Sequence, residues 1–216
     1  MFPLHRLVMV AACLAGVVAS TGASAGAKDE SAAEWLALRE PFDGRARNAD
    51  VLQAMADHFA AHQAITIVDL AAGTGSTLRA ISPYLPPRQD WRLVDNNLSL
   101  LARADASRGP QRNVKTTPLD LAHDLEAALD GPCDLVTTSA LLDLVSKDGL
   151  QRLIVEAAAR QLPVYAALSY DGRVILYPVD PLDREMVAAV NAHQRTDKGF
   201  GSALGPDAAA TIAQGF

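Results

Sequence analysis

A short strand that runs directly into a glycine turn is the feature that most constrains how this chain can fold. Residues 65–70 read ITIVDL, an apolar run rich in β-branched residues, which is typical of a buried parallel strand. Gly73 and Gly75 follow closely, and a helical pattern begins near Ser76. A strand that leads through glycines into a helix predicts one βα unit of an α/β fold.

Strands and helices alternate along the rest of the chain. Further strands are predicted at residues 91–95, 114–117, 134–138 and 164–168, with a short extension at 174–177. Helices are predicted within 32–62 with a break at Pro41, and at 77–85, 98–106, 121–129, 149–161 and 206–214. The alternation predicts a Rossmann-like, doubly wound α/β fold, a mostly parallel sheet with helices on both faces. In such sheets ligands bind beyond the carboxyl ends of the strands.

The N-terminal region has a different composition from the predicted domain. Residues 1–31 are predicted as a signal-like or disordered extension, with a linker at 22–31, and residues 32–216 as one folded domain. Residues 7–18 form an apolar run too short to span a bilayer, and residues 23–25 have the small-x-small form of a cleavage site. The segment is therefore either a real secretory signal, or a misassigned start or disordered tail of a cytoplasmic protein.

The charge balance argues against a nucleic-acid substrate. The net charge is −6 and the isoelectric point is about 5.3, so the chain lacks the broad positive field that binds phosphates. The arginines between residues 79 and 112 alternate with acids and apolar residues, as on a solvated face. The predicted partner is a small molecule, no stable membrane span is expected, and the oligomeric state is left open.

Cysteines and histidines show no metal-binding pattern. Cys13 and Cys133 form no CxxC pair, and the chain contains no HExxH sequence. His58 and His62 lie four residues apart but lack a third ligand in the sequence around them. No metal site is predicted, and Cys133 is interpreted as a small buried apolar residue.

An acid ends the strand that follows the glycine turn. Asp95 lies roughly twenty residues beyond the glycines, where a carboxylate can accept hydrogen bonds from both hydroxyls of a ribose. The alternative is that Asp95 caps the helix that begins at Leu98, although Asn96 or Asn97 could form that cap instead. A dehydrogenase fingerprint would need a third glycine at the position of Leu78, so this spacing argues against a dinucleotide site.

These residues resemble the first two motifs of the class I S-adenosylmethionine-dependent methyltransferases. Residues 68–76, VDLAAGTGS, are similar to the first motif: Asp69 matches its acid, Gly73 and Gly75 its last two glycines, and Ala71 replaces its first. Residues 93–96, LVDN, are similar to the second motif. The resemblance extends from about residue 39 to residue 216, and the later motifs are looser.

The resemblance implies a site for S-adenosyl-L-methionine. It implies that Asp95 holds the ribose, that Asp120 and Leu121 face adenine, and that Ala71 narrows the space near the methionine part. Residues 134–140 are similar to the fourth motif, so Ser139 is expected at the strand end that reaches cofactor and substrate. One of Arg39, Arg45 and Arg47 could clamp the methionine carboxylate, the alternative being a surface ion pair with Glu40 or Asp43.

The predicted activity is methyl transfer to an unidentified acceptor, most simply a small molecule. A non-catalytic cofactor-binding protein is the second hypothesis, and an exported protein of unrelated function is the third. The catalytic residue is not assigned by the sequence; the candidates are Asp143 and His193, the latter in a polar segment at 193–201 that either lines a pocket or is an ordinary loop. The family's sheet usually has two more strands, which this chain is expected to lack.

Overall fold

The computed structural model of this protein describes residues 25–104 and 109–216. Three sequence predictions lie outside these residues: the signal-like run at 7–18, Cys13, and the cleavage site at 23–25 except for its last residue. Within them the helices are α1 (Ala25–Ala46), α2 (Ala49–Phe59), α3 (Ser76–Ile81), α4 (Leu98–Ala104), α5 (Leu121–Leu129), α6 (Lys147–Ala159), α7 (Asp183–Gln194) and α8 (Ala208–Gly215), and the strands are β1 (Ala64–Leu70), β2 (Arg88–Asp95), β3 (Arg112–Pro118), β4 (Leu135–Ser139) and β5 (Val164–Ala167).

The five strands form one parallel sheet in the order β3-β2-β1-β4-β5. Asp69 of the central strand lies opposite Leu93 on one side and opposite Thr137 on the other. The strand order reverses between β1 and β4, and at such a switch point the loops diverge and leave a crevice. The predicted doubly wound α/β fold is therefore confirmed, and the crevice lies at the carboxyl end of β1.

Alternate residues of β1 enter two separate cores. Ile67 packs on one face with Leu78 and Trp91, beneath α2, α3 and α4, whereas Val68 packs on the other face with α5 and α6. Both residues are completely buried, which explains why the strand is apolar without polar alternation. Cys133 packs partly buried against the second core, and burial raises the pKa of its thiol, as expected for a structural cysteine.

Three local predictions are wrong. Helix α1 runs through Pro41 and already begins at Ala25, inside the predicted linker. A proline removes one backbone donor but has a helical φ, so a helix whose flanking turns are intact can continue through it. Residues 174–177 form no strand, because in the described part of the chain no neighbouring strand pairs with them; Ile175 and Tyr177 are exposed instead.

Candidate functional site

The glycine turn between β1 and α3 has the left-handed backbone that its sequence predicts. Gly73 has φ +53° and Gly75 has φ +81°, values that cost side-chain-bearing residues energy. A β-carbon built on Gly75 would lie 3.3 Å from the β-carbon of Ala104 in α4. Position 75 therefore requires glycine for two reasons: the left-handed backbone and the close packing against Ala104.

Replacing Gly75 with alanine is expected to cost about 2 kcal/mol or more of stability, from backbone strain of about 1 kcal/mol plus overpacking against Ala104. Gly131 is a matched control, because it has φ +83° and nothing within 4 Å of an added β-carbon. Gly131→Ala should therefore show the strain alone. Urea unfolding of both variants measures the difference, and equal losses would contradict the packing requirement.

Asp95 ties the end of β2 to the glycine turn. Its Oδ2 accepts a hydrogen bond of 2.8 Å from the backbone N–H of Gly73, and its Oδ1 accepts one of 2.9 Å from the N–H of Asn97. The cap of α4 is Asn97, whose side chain accepts from the N–H groups of Ser99 and Leu100. The helix-cap role weighed for Asp95 thus falls to Asn97, and each Asp95 oxygen keeps a lone pair for a further donor.

Asp69 is a fully buried acid at the end of β1. Its Oδ1 accepts a hydrogen bond of 2.8 Å from the Thr137 hydroxyl, whereas its Oδ2 has no partner among the described residues. Burial raises the pKa of Asp69 to about 7; the Thr137 hydrogen bond and the positive charge of Arg47 oppose the rise, and the negative charge of Asp95 adds to it. An acceptor oxygen without a donor is costly in such a place, so Asp69 has an unmet demand for a donor.

Arg47, in the link between α1 and α2, is a buried cation whose positive charge acts on Asp69. Its side chain is 7% exposed, and its Nη2 donates to the Ser139 hydroxyl at 3.1 Å. Its Nε and Nη1 have no acceptor in the part of the chain that the structure describes. The Ser139 oxygen also accepts from Thr77 at 2.9 Å, so its lone pairs are used and its own hydrogen is left to donate. Arg47 and Ser139 together offer a cluster of donors without an acceptor.

Three strand ends beside this cluster carry strained residues. Ala71, Ala140 and Leu168 have φ of +54°, +53° and +62°, and each directly follows a strand, β1, β4 and β5 respectively. These strands are neighbours in the sheet, so the strained positions line one edge. Left-handed residues other than glycine concentrate at functional sites, because the strain persists only where the surroundings enforce it.

Comparison with known proteins identifies the fold. No protein-family model matches the sequence, and no curated protein matches it. Among solved structures, an O-methyltransferase family protein from Burkholderia thailandensis matches with a TM-score of 0.53 and 16% identity, over 87% of this chain and 53% of that one. The chain has the class I methyltransferase fold.

Other similar structures also come from methyltransferases. A S-adenosylmethionine-dependent methyltransferase from Mesorhizobium loti matches at 22% identity and a TM-score of 0.39, over 67% of this chain and 57% of that one. Phosphoethanolamine N-methyltransferase 1 from Haemonchus contortus matches at 17% identity and a TM-score of 0.40, over 73% and 37%. The chain thus spans little more than half the length of the first two proteins and less of the third.

In this fold the predicted adenine residues lie at the start of α5. Asp120 caps the helix through a 3.0 Å hydrogen bond from the Ala122 N–H, and its Oδ2 lies 2.9 Å from Nδ1 of His123. These two hydrogen bonds hold the pKa of Asp120 below its ordinary value, so it is an ionised acceptor. Leu121 lines an apolar cavity of about 210 Å³ whose other walls include Leu70, Leu125, Leu141, Leu142 and Phe200.

Of the three arginines proposed as a carboxylate clamp, one turns inward. Arg39 forms an ion pair with Asp43 at 2.8 Å, which is the surface alternative predicted for it, and the Arg45 guanidinium lies 4.7 Å from the centre of the Phe42 ring. Only Arg47 of the three is buried with unpaired donors. Sequence reasoning could not select it, because all three lie within a few residues on one polar segment.

The two candidate catalytic residues have different surroundings. Asp143 follows β4, is 6% exposed and has an Oδ1 without a partner among the described residues. Burial raises the pKa of Asp143, and the N–H of Tyr170 opposes the rise. His193 lies in the last turn of α7, and its Nε2 lies 3.1 Å from Nζ of Lys198, which also donates to the backbone oxygen of His193. Asp143 therefore lies near the strand ends with a free oxygen, whereas the His193 imidazole contacts the loop that follows α7.

Within residues 25–104 and 109–216, no group of three or more histidine, cysteine, aspartate or glutamate side chains could hold a metal ion. The same ranges contain no helix that is long and apolar enough to cross a bilayer.

Proposed function

We propose that this protein binds S-adenosylmethionine across the ends of β1, β2 and β4 and transfers its methyl group to a small-molecule acceptor. The observation that carries the proposal is a set of buried polar atoms without partners among the described residues: Nε and Nη1 of Arg47, which are donors, and Oδ2 of Asp69, which is an acceptor. Thr137 and Ser139, which bind them, lie two residues apart on β4 and so face the same side of the sheet. The carboxylate and ammonium of an α-amino acid match such a pair.

The remaining groups fit the rest of the cofactor. Asp95 has two free lone pairs beside the glycine turn for the ribose hydroxyls, and the turn brings backbone close to the ligand. Leu121 and its apolar cavity suit the adenine ring, and Asp120 is an acceptor for the ring's amine. When bound, the cofactor supplies an electrophilic methyl group on a sulfonium, so the protein's task is to orient the acceptor and exclude water.

Asp143 is the residue we assign to the acceptor side. Its buried carboxyl lies in the loop that follows β4, and its free oxygen can take a proton from an acceptor hydroxyl or ammonium as the methyl group is transferred. Burial raises the pKa of Asp143 above its ordinary value, which makes its carboxylate a stronger base than an exposed one. The net charge of −6 favours a small-molecule methyl acceptor over a nucleic acid. The cofactor is made in the cytoplasm, which supports a cytoplasmic location for this protein.

Substitution of Asp95 tests the cofactor site. Asp95→Asn replaces one acceptor oxygen with a donor, so S-adenosylmethionine binding is expected to weaken by about 2 kcal/mol, measured by titration calorimetry. Asp90→Asn is the matched control on the same strand: that carboxylate is exposed and accepts a hydrogen bond of 3.2 Å from the Asn113 side chain. Equal affinities for both variants would contradict the ribose assignment, and no binding by the folded wild-type protein would contradict the proposed function.

Methyl transfer separates the enzyme from its alternative, a protein that binds the cofactor without using it. The full chain is incubated with methyl-labelled S-adenosylmethionine and a panel of small alcohols, phenols, amines and carboxylic acids. Transfer of the label to one of these acceptors, by a reaction that requires Asp143, supports the hypothesis that the protein is an enzyme. Tight binding with no transfer to any acceptor class favours the non-catalytic protein.

A further inference from the structure

Neither ionisation state of Asp69 is satisfied by the protein alone. In the ionised form Oδ2 is an acceptor without a donor, and in the protonated form Oδ2 still lacks a partner, whether it carries the proton itself or Oδ1 donates it to the Thr137 hydroxyl. The groups that face it from the elements packed around it are Arg47 from the α1–α2 junction, Asp95 from β2 and Thr137 from β4. Burial, which has the largest effect, and the negative charge of Asp95 favour the neutral acid, whereas the Thr137 hydrogen bond and the positive charge of Arg47 favour the carboxylate.

A ligand ammonium would change this balance. It would donate to Oδ2 and place a positive charge in a buried site, and both effects favour the carboxylate over the neutral acid. A proton held by Asp69 in the free protein would then leave as the ligand binds. The exchange moves one proton from the Asp69 carboxyl to the buffer and forms no covalent bond.

We propose that the amino-acid part of the cofactor displaces a proton from Asp69, so that the protein binds it more tightly as the pH rises towards neutrality. The inference rests on the proposed function, because it needs a ligand with an ammonium group at this place.

The expected effect is large enough to measure. With the pKa of Asp69 at about 7, roughly a tenth of the free protein carries the carboxylate at pH 6 and about half at pH 7. Affinity should therefore fall roughly fivefold from pH 7 to pH 6, and binding at pH 7 should release about half a proton. An ordinary α-amino group has a pKa of about 7.7 to 8.0, so the ligand stays an ammonium over this range.

The test is titration calorimetry of the full chain with S-adenosylhomocysteine at several values between pH 6 and pH 7. Each titration is run in two buffers of different ionisation enthalpy, because the difference in apparent heat counts the protons released. Asp69→Asn removes the proton and should bind more weakly with no dependence on pH. His123→Gln removes the imidazole that pairs with Asp120 and should leave the proton release unchanged.

The outcomes separate this inference from the function it rests on. Tight binding with the same affinity at each pH and no proton release would overturn the inference and leave the cofactor site standing. A pH dependence that persists in folded Asp69→Asn would overturn it too. Absence of binding at every pH would overturn both. The two-buffer result for the wild-type protein decides the matter even if Asp69→Asn does not fold.

Discussion

Arg47→Met is expected to weaken S-adenosylhomocysteine binding by roughly a hundredfold or more while raising the stability of the ligand-free protein. Loss of a buried partner of a charged ligand group costs about 2 to 5 kcal/mol, because the ligand carboxylate is left without its donors. Methionine keeps most of the volume of arginine, so the packing beneath α1 should be retained.

The gain in stability follows from the Arg47 donors that have no acceptor. The free protein holds a guanidinium that is 7% exposed and has two nitrogens without acceptors. A buried charge with unsatisfied donors carries a desolvation cost that an apolar side chain of similar size avoids. Loss of the Ser139 hydrogen bond and of the contact with the Tyr165 ring, whose centre lies 6.0 Å from the guanidinium, offsets part of this gain, so a net stabilisation of about 1 kcal/mol is expected. A side chain that is retained because it binds a ligand typically strengthens ligand binding while lowering the stability of the ligand-free protein.

Calorimetry with S-adenosylhomocysteine and urea unfolding without ligand measure the two effects. Arg45→Met is the matched control, because that guanidinium lies over the exposed Phe42 ring. The control should change neither quantity by more than a few tenths of a kcal/mol. Unaltered affinity in folded Arg47→Met would remove Arg47 from the site, and a marked loss of stability would show that its role is structural.

The fold was predictable from the sequence because its information is local and repeated. A β-branched strand, a glycine turn and a helix each have a pattern that can be recognised in a few residues, and the alternation of such units leaves few topologies. The positions of Asp69 and Asp95 were predictable for the same reason: Asp69 is the last residue but one of β1 and Asp95 ends β2, and the ends of neighbouring parallel strands meet at one edge of the sheet.

The proximity of Arg47 to Asp69 in the candidate site was not predictable in this way. Whether Arg39 or Arg47 points inward depends on how α1 lies over the sheet, and α1 itself was predicted to break at Pro41. Thr77 and Thr137 carry no pattern that separates a hydroxyl in a hydrogen-bond network from an ordinary core or helix residue. The left-handed backbone at Ala71 was hidden because the residue is not a glycine.

The helix α7 shows a second limit. Only Val190 and Gln194 of its residues are buried, so its sequence has no apolar stripe of helical period. It is held instead by polar contacts such as the 2.7 Å hydrogen bond from the Tyr170 hydroxyl to Asn191. Periodicity detects helices that are stabilised by a core, and it misses one that is placed by single hydrogen bonds.

The ligand-free protein is expected to lose stability as the pH rises from about 4 to about 7, through Asp69. The pKa of Asp69 is about 7 in the folded protein, against an ordinary value of 3.8 in the unfolded chain. Between these values the folded state holds a proton that the unfolded state has lost, so raising the pH favours unfolding. The contribution is complete below pH 4 and is lost as the pH passes 7, a change of about 4 kcal/mol.

Urea unfolding between pH 5 and pH 8 isolates this effect. Glu126, Asp120 and Asp171 have lowered pKa values, so their contributions change at lower pH and with the opposite sign. Asp143 has a raised pKa and adds a slope of the same sign as Asp69, so the informative quantity is the difference between wild type and Asp69→Asn. This difference should move in favour of the variant by about 3 kcal/mol over the range. Parallel curves would show that Asp69 is ionised throughout, and the proton exchange inferred for ligand binding would then have no source.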